Sequence, residues 1–166
     1  MATQFTDLVT FSGGVQISPG TPFGLPAVCV GDTQINPSNP VTAIKMEHRF
    51  MPRMSQPFGV AAVAERKVVH RARSAGTVAA FWVGSTAANV GAATVTVDLL
   101  KNGVTVLVSP VVLTSANAAF VAVAASLAAG AAYAAGDVLE VSQTVAAGGG
   151  TLAQGAFGEP VLTEGA

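Results

Sequence analysis

The chain has 166 residues and a formal net charge of −1; 51% of its residues are hydrophobic and only 10% are charged. This length supports one domain with a sizeable core and leaves room for an arm, while the small net charge excludes global steering toward nucleic acid or an anionic membrane. Because average chains carry about 25% charged residues, so uncharged a surface favours a protein packed against a partner over a freely diffusing enzyme.

The first part of the chain, residues 1–65, predicts an extended arm. Seven of the nine prolines and five of the eight phenylalanines precede residue 60. Proline interrupts helices and ladders, and a disordered linker would be polar and poor in aromatic residues. We therefore expect an arm that docks through aromatic anchors, with short strands at residues 7–11 and 41–46 and one helical turn at residues 60–66. The single cysteine, Cys29, lies in AVCVG and is expected to be a small buried hydrophobe.

Positive charge is concentrated between Lys45 and Arg73, which holds seven of the eight Lys and Arg residues but only two of the nine acids. Arginine forks suit protein interfaces, so this segment predicts contact with an acidic protein partner. Phenylalanines interleave the arginines in EHRFMPRMSQPF, as in a groove for single-stranded nucleic acid. The pI of about 6.0 and the acids elsewhere argue against that alternative. Glu47, His48 and His70 match no common metal-site spacing.

The remaining residues, 66–166, predict a β-sandwich domain. The sequence VTVDLLKNGVTVLV contains Asn102-Gly103 between alternating apolar residues, which is the strongest short-range signal for a β-hairpin. A two-residue turn there places Leu99 opposite Val106 and Val97 opposite Val108. These four residues share one face with Val95 and Val104, and the other face carries Thr96, Asp98 and Thr105.

Further strands are predicted at residues 111–114, 120–124, 138–144, 152–157 and 161–162, with turn sequences between them. Short strands at this spacing indicate an all-β sandwich or jelly roll. The run at residues 118–135 has the length of a membrane span, but it is mostly alanine with an internal glycine and no basic flank. A strand followed by a loop of small residues is the better interpretation.

The stretch VAAFWV carries Phe81 beside Trp82, and neighbouring residues of a strand point to opposite faces. Both faces of this strand are therefore expected to be covered, one by the core and the other by the arm or a neighbouring subunit. This two-sided apolarity predicts a homo-oligomer.

No constellation of residues indicates catalysis. The sequence has no nucleophile elbow, no zinc-protease motif and no phosphate-binding glycine loop, and its nine acids form no obvious pair. We expect no enzyme activity, no cofactor and no metal.

Three stretches carry a family resemblance: KVVHRARSAGTVAAFWVG, ATVTVDLLKNGVTVL and AAGDVLEVSQTVAAGGG. Together with the proline-rich arm they resemble the capsid decoration, or cement, proteins of tailed bacteriophages, which have a jelly-roll-like domain. The resemblance covers residues 66–163, and its most typical pieces are residues 98–103 and 135–141. It implies a homotrimer on the outer surface of the virion capsid that bridges major capsid protein subunits, with a terminal arm on the shell.

The expected function is thus that of a structural virion protein that stabilises contacts between capsid subunits, without nucleic-acid or membrane partners. The alternative is a head or tail fibre or spike module that binds a host receptor or glycan. The candidate residues for capsid or subunit contact are Phe5, Phe11, Phe23, Lys45, Arg49, Phe50, Arg53, Phe58, Arg66, Lys67, Arg71, Arg73, Phe81 and Trp82.

Overall fold

The computed structural model describes residues 48–129 and 131–164, all of which belong to one compact unit. The described residues form strands, turns and loops, with no helix among them. The strands are β1 (His48–Phe50), β2 (Met54–Ser55), β3 (Glu65–Arg71), β4 (Gly76–Gly84), β5 (Thr94–Lys101), β6 (Val104–Thr105), β7 (Val111–Leu113), β8 (Val123–Ala124), β9 (Ala132–Tyr133), β10 (Val138–Ala146) and β11 (Phe157–Glu164). The strands predicted at residues 7–11 and 41–46, together with Cys29, lie outside the described residues.

Two antiparallel sheets face each other. The first has the order β1-β11-β4-β8, with β2 also paired to β11 and β9 also paired to β4. The second has the order β3-β10-β5-β6, with β7 also paired to β5. The all-β sandwich predicted from the sequence is confirmed.

Strands β1 and β2 are two parts of one edge strand, because they share a single register along β11. His48 pairs with Glu164 and Met54 pairs with Gly158, so the interruption between them places Pro52 opposite Pro160. Neither proline has an N–H to donate to the ladder. The sheet therefore begins before residue 66, inside the segment predicted to be an arm.

The connectivity is that of a jelly roll. Strands β1–β2, β6–β7 and β8–β9 each act as one interrupted strand, which leaves four strands in each sheet. Apart from the β5–β6 hairpin, every connection between these strands crosses from one sheet to the other. Eight strands in two sheets with such crossings define the jelly-roll architecture.

The predicted hairpin is confirmed at its turn, but the pairing predicted farther from the turn is wrong. Asn102 and Gly103 both have positive φ, 50° and 84°, as a two-residue type I′ turn requires. The N–H of Val106 donates to the carbonyl oxygen of Leu99 at 2.9 Å, as predicted. Val97, however, pairs with Val111 instead of Val108.

The cause of this difference lies in residues 107–110, which leave β5 for the other side of the sandwich. Leu107 bridges Leu127, and the N–H of Val108 donates to Ser126 at 2.9 Å. These bonds join the two sheets along one margin. Val104, predicted on the buried face, is 68% exposed because it lies next to the turn, at the tip of the hairpin.

Two predicted strands are shorter than expected. The strand predicted at residues 120–124 is limited to Val123–Ala124, since Phe120 adopts a positive φ of 62° that is incompatible with a strand. In the region 152–157 only Phe157 belongs to a strand, because Gly155 has φ 55° and interrupts the extended conformation. The helical turn predicted at residues 60–66 is also wrong, because Ala61 bridges Gln154 and β3 begins at Glu65.

The core fills the space between the sheets with apolar residues from alternate strand positions. Phe81 is fully buried, whereas its neighbour Trp82 is 40% exposed on the outer face of the first sheet, so the predicted alternation is confirmed. The largest fully buried side chains include Phe81, Met54, Leu99, Leu113, Leu139 and Leu162. Within the ranges given above, no helix is long and apolar enough to cross a membrane.

Candidate interaction surface

Four loops meet at one end of the sandwich, and we call this surface the loop end. They are the connections β2–β3, β4–β5, β7–β8 and β10–β11, at residues 56–64, 85–93, 114–122 and 147–156. Bridges and backbone hydrogen bonds tie them together: Ala61–Gln154, Ala87–Gln154, Val90–Thr151 and Phe120 N–H to the Ser85 carbonyl at 2.8 Å. The loop end is thus one continuous surface built from four distant parts of the sequence.

The loop end carries no charge. None of the residues in its four loops is Asp, Glu, Lys, Arg or His. The connections at the opposite end, β3–β4, β5–β6 and β9–β10, contain or adjoin Arg71, Arg73, Lys101 and Asp137. The charged residues are therefore unevenly placed, and the four loops of the loop end have none.

Large apolar side chains are exposed on the loop end. Phe58 is 77% exposed and Phe120 is 72% exposed. Four exposed valines accompany them: Val60, Val63, Val90 and Val121. Three steps between adjacent hydrogen-bonded segments separate the backbone at Val60 from the backbone at Phe120. At normal strand spacing these three steps span about 14 Å. Single exposed valines are ordinary, but a charge-free cluster of this breadth marks an interaction surface.

The loops are held rigidly from below by a buried amide. Asn89 is buried, its Nδ2 donates to the Leu113 carbonyl at 2.9 Å, and its Oδ1 accepts from the Ala153 N–H at 2.8 Å. One side chain thereby links three of the four loops or their flanking strands. A surface ordered before binding loses less conformational entropy when it docks.

Three of the basic residues predicted to face a partner are paired within the chain. Arg53 forms a salt bridge with Glu159, Arg66 pairs with Glu140 at 2.6 Å, and Lys67 pairs with Glu65 at 3.1 Å. Their basic side chains are more than half exposed, so solvent screening leaves each pair little to contribute to stability. Folding thus compensates part of the charge separation visible in the sequence, since Arg53 and Arg66 pair with acids outside the basic segment.

The other basic candidates lie on different elements of the sandwich. Arg49, Arg71 and Arg73 form no salt bridge with an acid of the described ranges. Arg49 pairs with Thr163 in the first sheet, whereas Arg71 pairs with Val138 in the second. Arg73 lies in the connection that follows β3. Phe5, Phe11, Phe23 and Lys45 lie outside the described residues.

The aromatic candidates separate into different environments. Phe81 lies between the sheets and cannot reach a partner without unfolding. Trp82 lies on the outer face, in a row with Arg53, Glu159 and Ala124 set by strand register. Phe58 is the one candidate in the loop end.

Phe50 belongs to a cluster that joins the two sheets at the end opposite the loop end. His70 Nε2 lies 2.7 Å from Glu164 Oε1, and the His70 ring stands edge-on to Phe50 at 4.8 Å and to Tyr133 at 6.0 Å. The Tyr133 hydroxyl donates to the Thr163 carbonyl at 3.1 Å. Burial, assisted by the Glu164 carboxylate, raises the pKa of Tyr133 to about 12. The cluster has no adjoining cleft and serves to fasten β3 to the first sheet.

This shift predicts a loss of stability at alkaline pH. An unfolded tyrosine titrates near pH 10, so the neutral hydroxyl stabilises the fold fully below that value. This contribution is lost as pH rises from about 10 to about 12. Tyr133 is the only tyrosine, so tyrosinate absorbance measures its titration directly. We expect urea unfolding of the Tyr133→Phe variant to depend less on pH in this window, and an identical pH dependence would contradict the assignment.

Five exposed residues of the loop end were missed by sequence reasoning: Val60, Val63, Val90, Phe120 and Val121. The available signal was that four inter-strand stretches contain no charged residue. That signal acquires meaning only when the topology shows that the four stretches meet.

The described ranges contain no detectable pocket and no group of three His, Cys, Asp or Glu residues placed to hold a metal ion.

No protein-family model matches the sequence, and neither a curated protein nor a solved structure matches it. The functional interpretation therefore depends on the geometry of this chain and on general physical arguments.

Proposed function

We propose that the protein is a structural virion protein that decorates a bacteriophage capsid. It binds the outer surface of the head and stabilises contacts between major capsid protein subunits, as a cement protein does. The observation that carries this proposal is the loop end, a rigid, charge-free surface with exposed Phe58 and Phe120. The jelly-roll topology is consistent with it, since this architecture occurs in viral capsid proteins as well as in lectins, although fold alone does not determine function.

The proposed mechanism is burial of the loop end against the capsid. Each fully buried large apolar side chain contributes roughly 1.5–3 kcal/mol, whereas association costs roughly 4–15 kcal/mol in lost motion. Burial of the two exposed phenylalanines alone would therefore not hold a single copy tightly. A homotrimer multiplies this weak docking by avidity, because the second and third contacts form within one complex.

The arginines that form no salt bridge with an acid of the described ranges have a minor role in this proposal. Arg71 and Arg73 lie at the end of the sandwich opposite the loop end, so they face away from the capsid when the loop end docks and add little to affinity. Arg53, Arg66 and Lys67 contribute less, because their charges are already compensated by Glu159, Glu140 and Glu65.

The alternative function is a fibre or spike module that binds a host receptor or glycan. One observation favours it: Trp82 exposes 40% of its surface on a sheet face beside the Arg53–Glu159 pair. An exposed aromatic ring beside polar groups is a common arrangement for stacking a sugar ring. A glycan array probed with the wild-type protein and the Trp82→Ala variant separates the two functions. Glycan binding that the variant loses would support the fibre or spike module, whereas a cement protein does not need to bind a glycan.

The direct test uses undecorated heads from a phage strain that lacks the gene. We expect the purified protein to bind these heads saturably in sedimentation and to raise the temperature at which they release DNA. A variant lacking residues 1–47 tests the predicted arm and leaves β1 and β2 in place. We expect it to occupy fewer sites. Full occupancy by this variant would contradict the role of the arm, and no binding by the intact chain would contradict the proposed function.

A further inference from the structure

Phe120 combines two unusual features at one margin of the loop end. Its backbone φ is 62°, a value that only Asn102 approaches among the non-glycine residues of the described ranges. Asparagine visits this left-handed region readily, whereas for a bulky residue it is a conformational outlier. The phenyl side chain is at the same time 72% exposed.

Nothing in the described part of the chain compensates for this strain. Two backbone hydrogen bonds hold the segment, from the Phe120 N–H to the Ser85 carbonyl at 2.8 Å and from the Val121 N–H to the Ala118 carbonyl at 3.4 Å, and neither depends on the side chain at residue 120. The ring gains little burial, and the next residue, Val121, is exposed as well. Glycine or asparagine would hold the same turn at lower energy. The phenyl group is therefore not there for the stability of this fold.

We infer that Phe120, with Val121 beside it, is an anchor that enters an apolar, uncharged pocket on a different protein. The inference deepens the proposed function and rests on it only for the identity of that partner, a capsid lattice. Strained residues persist where function uses their geometry. A protruding aromatic side chain fixed by a rigid loop is also the usual form of a binding hot spot, because little entropy remains to be lost.

The absence of charge in the loops specifies the partner surface. A charged group on the partner, buried against the loop end, would lose its hydration and gain no counter-charge. The partner pocket must then be lined by apolar or neutral groups. A second copy of this chain would be distinguished from such a partner by self-association of the purified protein.

A lipid bilayer is a poor match for the loop end. Segments that insert at a membrane interface normally combine apolar residues with Lys or Arg for the headgroups and with Trp or Tyr at the boundary. The four loops contain none of these four residue types. The favoured occupant is therefore a protein.

The test replaces Phe120 by asparagine in the full-length chain, with Ala119→Asn as the matched control at the preceding residue. Phe120→Asn is expected to raise the melting temperature, because asparagine tolerates the left-handed conformation. It is expected at the same time to weaken binding to undecorated heads at least tenfold. Ala119→Asn should not raise the melting temperature and should bind within about twofold of wild type.

Four outcomes would overturn the inference. A lower melting temperature for Phe120→Asn would show that the ring stabilises its own chain, and unchanged head binding would show that it is no anchor. Co-sedimentation of the wild type, but not the variant, with phosphatidylcholine or phosphatidylglycerol vesicles would assign the anchor to a membrane. Loss of self-association by the variant in sedimentation equilibrium would assign it to a second copy. Wild-type protein that leaves heads undecorated would refute the proposed function, while the thermal comparison still tests whether Phe120 is kept at a cost to the stability of its own fold.

Discussion

Replacing Gly150 by alanine is expected to lower the free energy of unfolding by about 3 kcal/mol or more. A β-carbon at this position would overlap the carbonyl oxygen of Val90 and would lie 2.9 Å from the backbone nitrogen of Ala93. Both are backbone atoms of the loop at residues 85–93, so no side-chain rotation relieves the contact. Overpacking costs about 1–3 kcal/mol where the neighbouring atoms can move aside. The backbone atoms around residue 150 cannot, so we expect a cost at or above about 3 kcal/mol. Urea denaturation measures the loss.

The neighbouring residue Gly149 provides the control. A β-carbon there would have nothing within 4 Å, although the backbone φ is 80°. Gly149→Ala is therefore expected to cost only about 1–2 kcal/mol for the left-handed conformation, and Gly149→Asn less. Equal losses at Gly149→Ala and Gly150→Ala would show that conformational strain, not close packing of two loops, determines the glycine at residue 150.

The sequence predicts only part of the role of Gly148-Gly149-Gly150. A run of glycines predicts a turn because all three accept a positive φ, and the turn is there. The requirement for a missing side chain at Gly150 depends on the loop at residues 85–93, which sequence reasoning had no means to place. Local chemistry predicts that a turn occurs, and packing decides what each residue does in it.

The fold class was predictable because its signals are local. Turn chemistry at Asn102-Gly103 and alternation along β5 and β10 act over fewer than about ten residues. The predicted strand pairings that are wrong are those that depend on residues distant in the sequence. Val97 pairs with Val111 because residues 107–110 are drawn toward Leu127, and that contact depends on the crossing connections of the jelly roll.

The charge pattern shows the same limit. Positive charge from Lys45 to Arg73 predicted an external acidic partner, but Arg53 pairs with Glu159 and Arg66 with Glu140 in the folded chain. These partners are 106 and 74 residues apart in sequence. The loop end was missed for the converse reason, because an absence of charge in four separate loops attracts attention only after topology brings them together.

Replacing Val121 by aspartate is expected to weaken docking to undecorated heads at least a hundredfold. Val121 is 56% exposed, so the carboxylate is hydrated in the free protein and folding is unaffected. Docking removes that hydration against an uncharged surface, which costs several kcal/mol for an unpaired ion. Each 1.4 kcal/mol corresponds to a factor of ten in the dissociation constant. Occupancy of heads at increasing protein concentration measures the shift, and an unchanged melting temperature confirms that the variant is folded.

Val104→Asp is the matched control, since Val104 is 68% exposed in the hairpin at the opposite end of the sandwich. It adds the same charge to the chain without touching the loop end, and we expect it to bind as the wild type does. Salt provides a second distinction. Docking through a charge-free surface should persist as ionic strength rises, whereas docking through Arg49, Arg71 and Arg73 should weaken by screening. Full binding by Val121→Asp together with steep loss in salt would therefore move the interface from the loop end to these arginines.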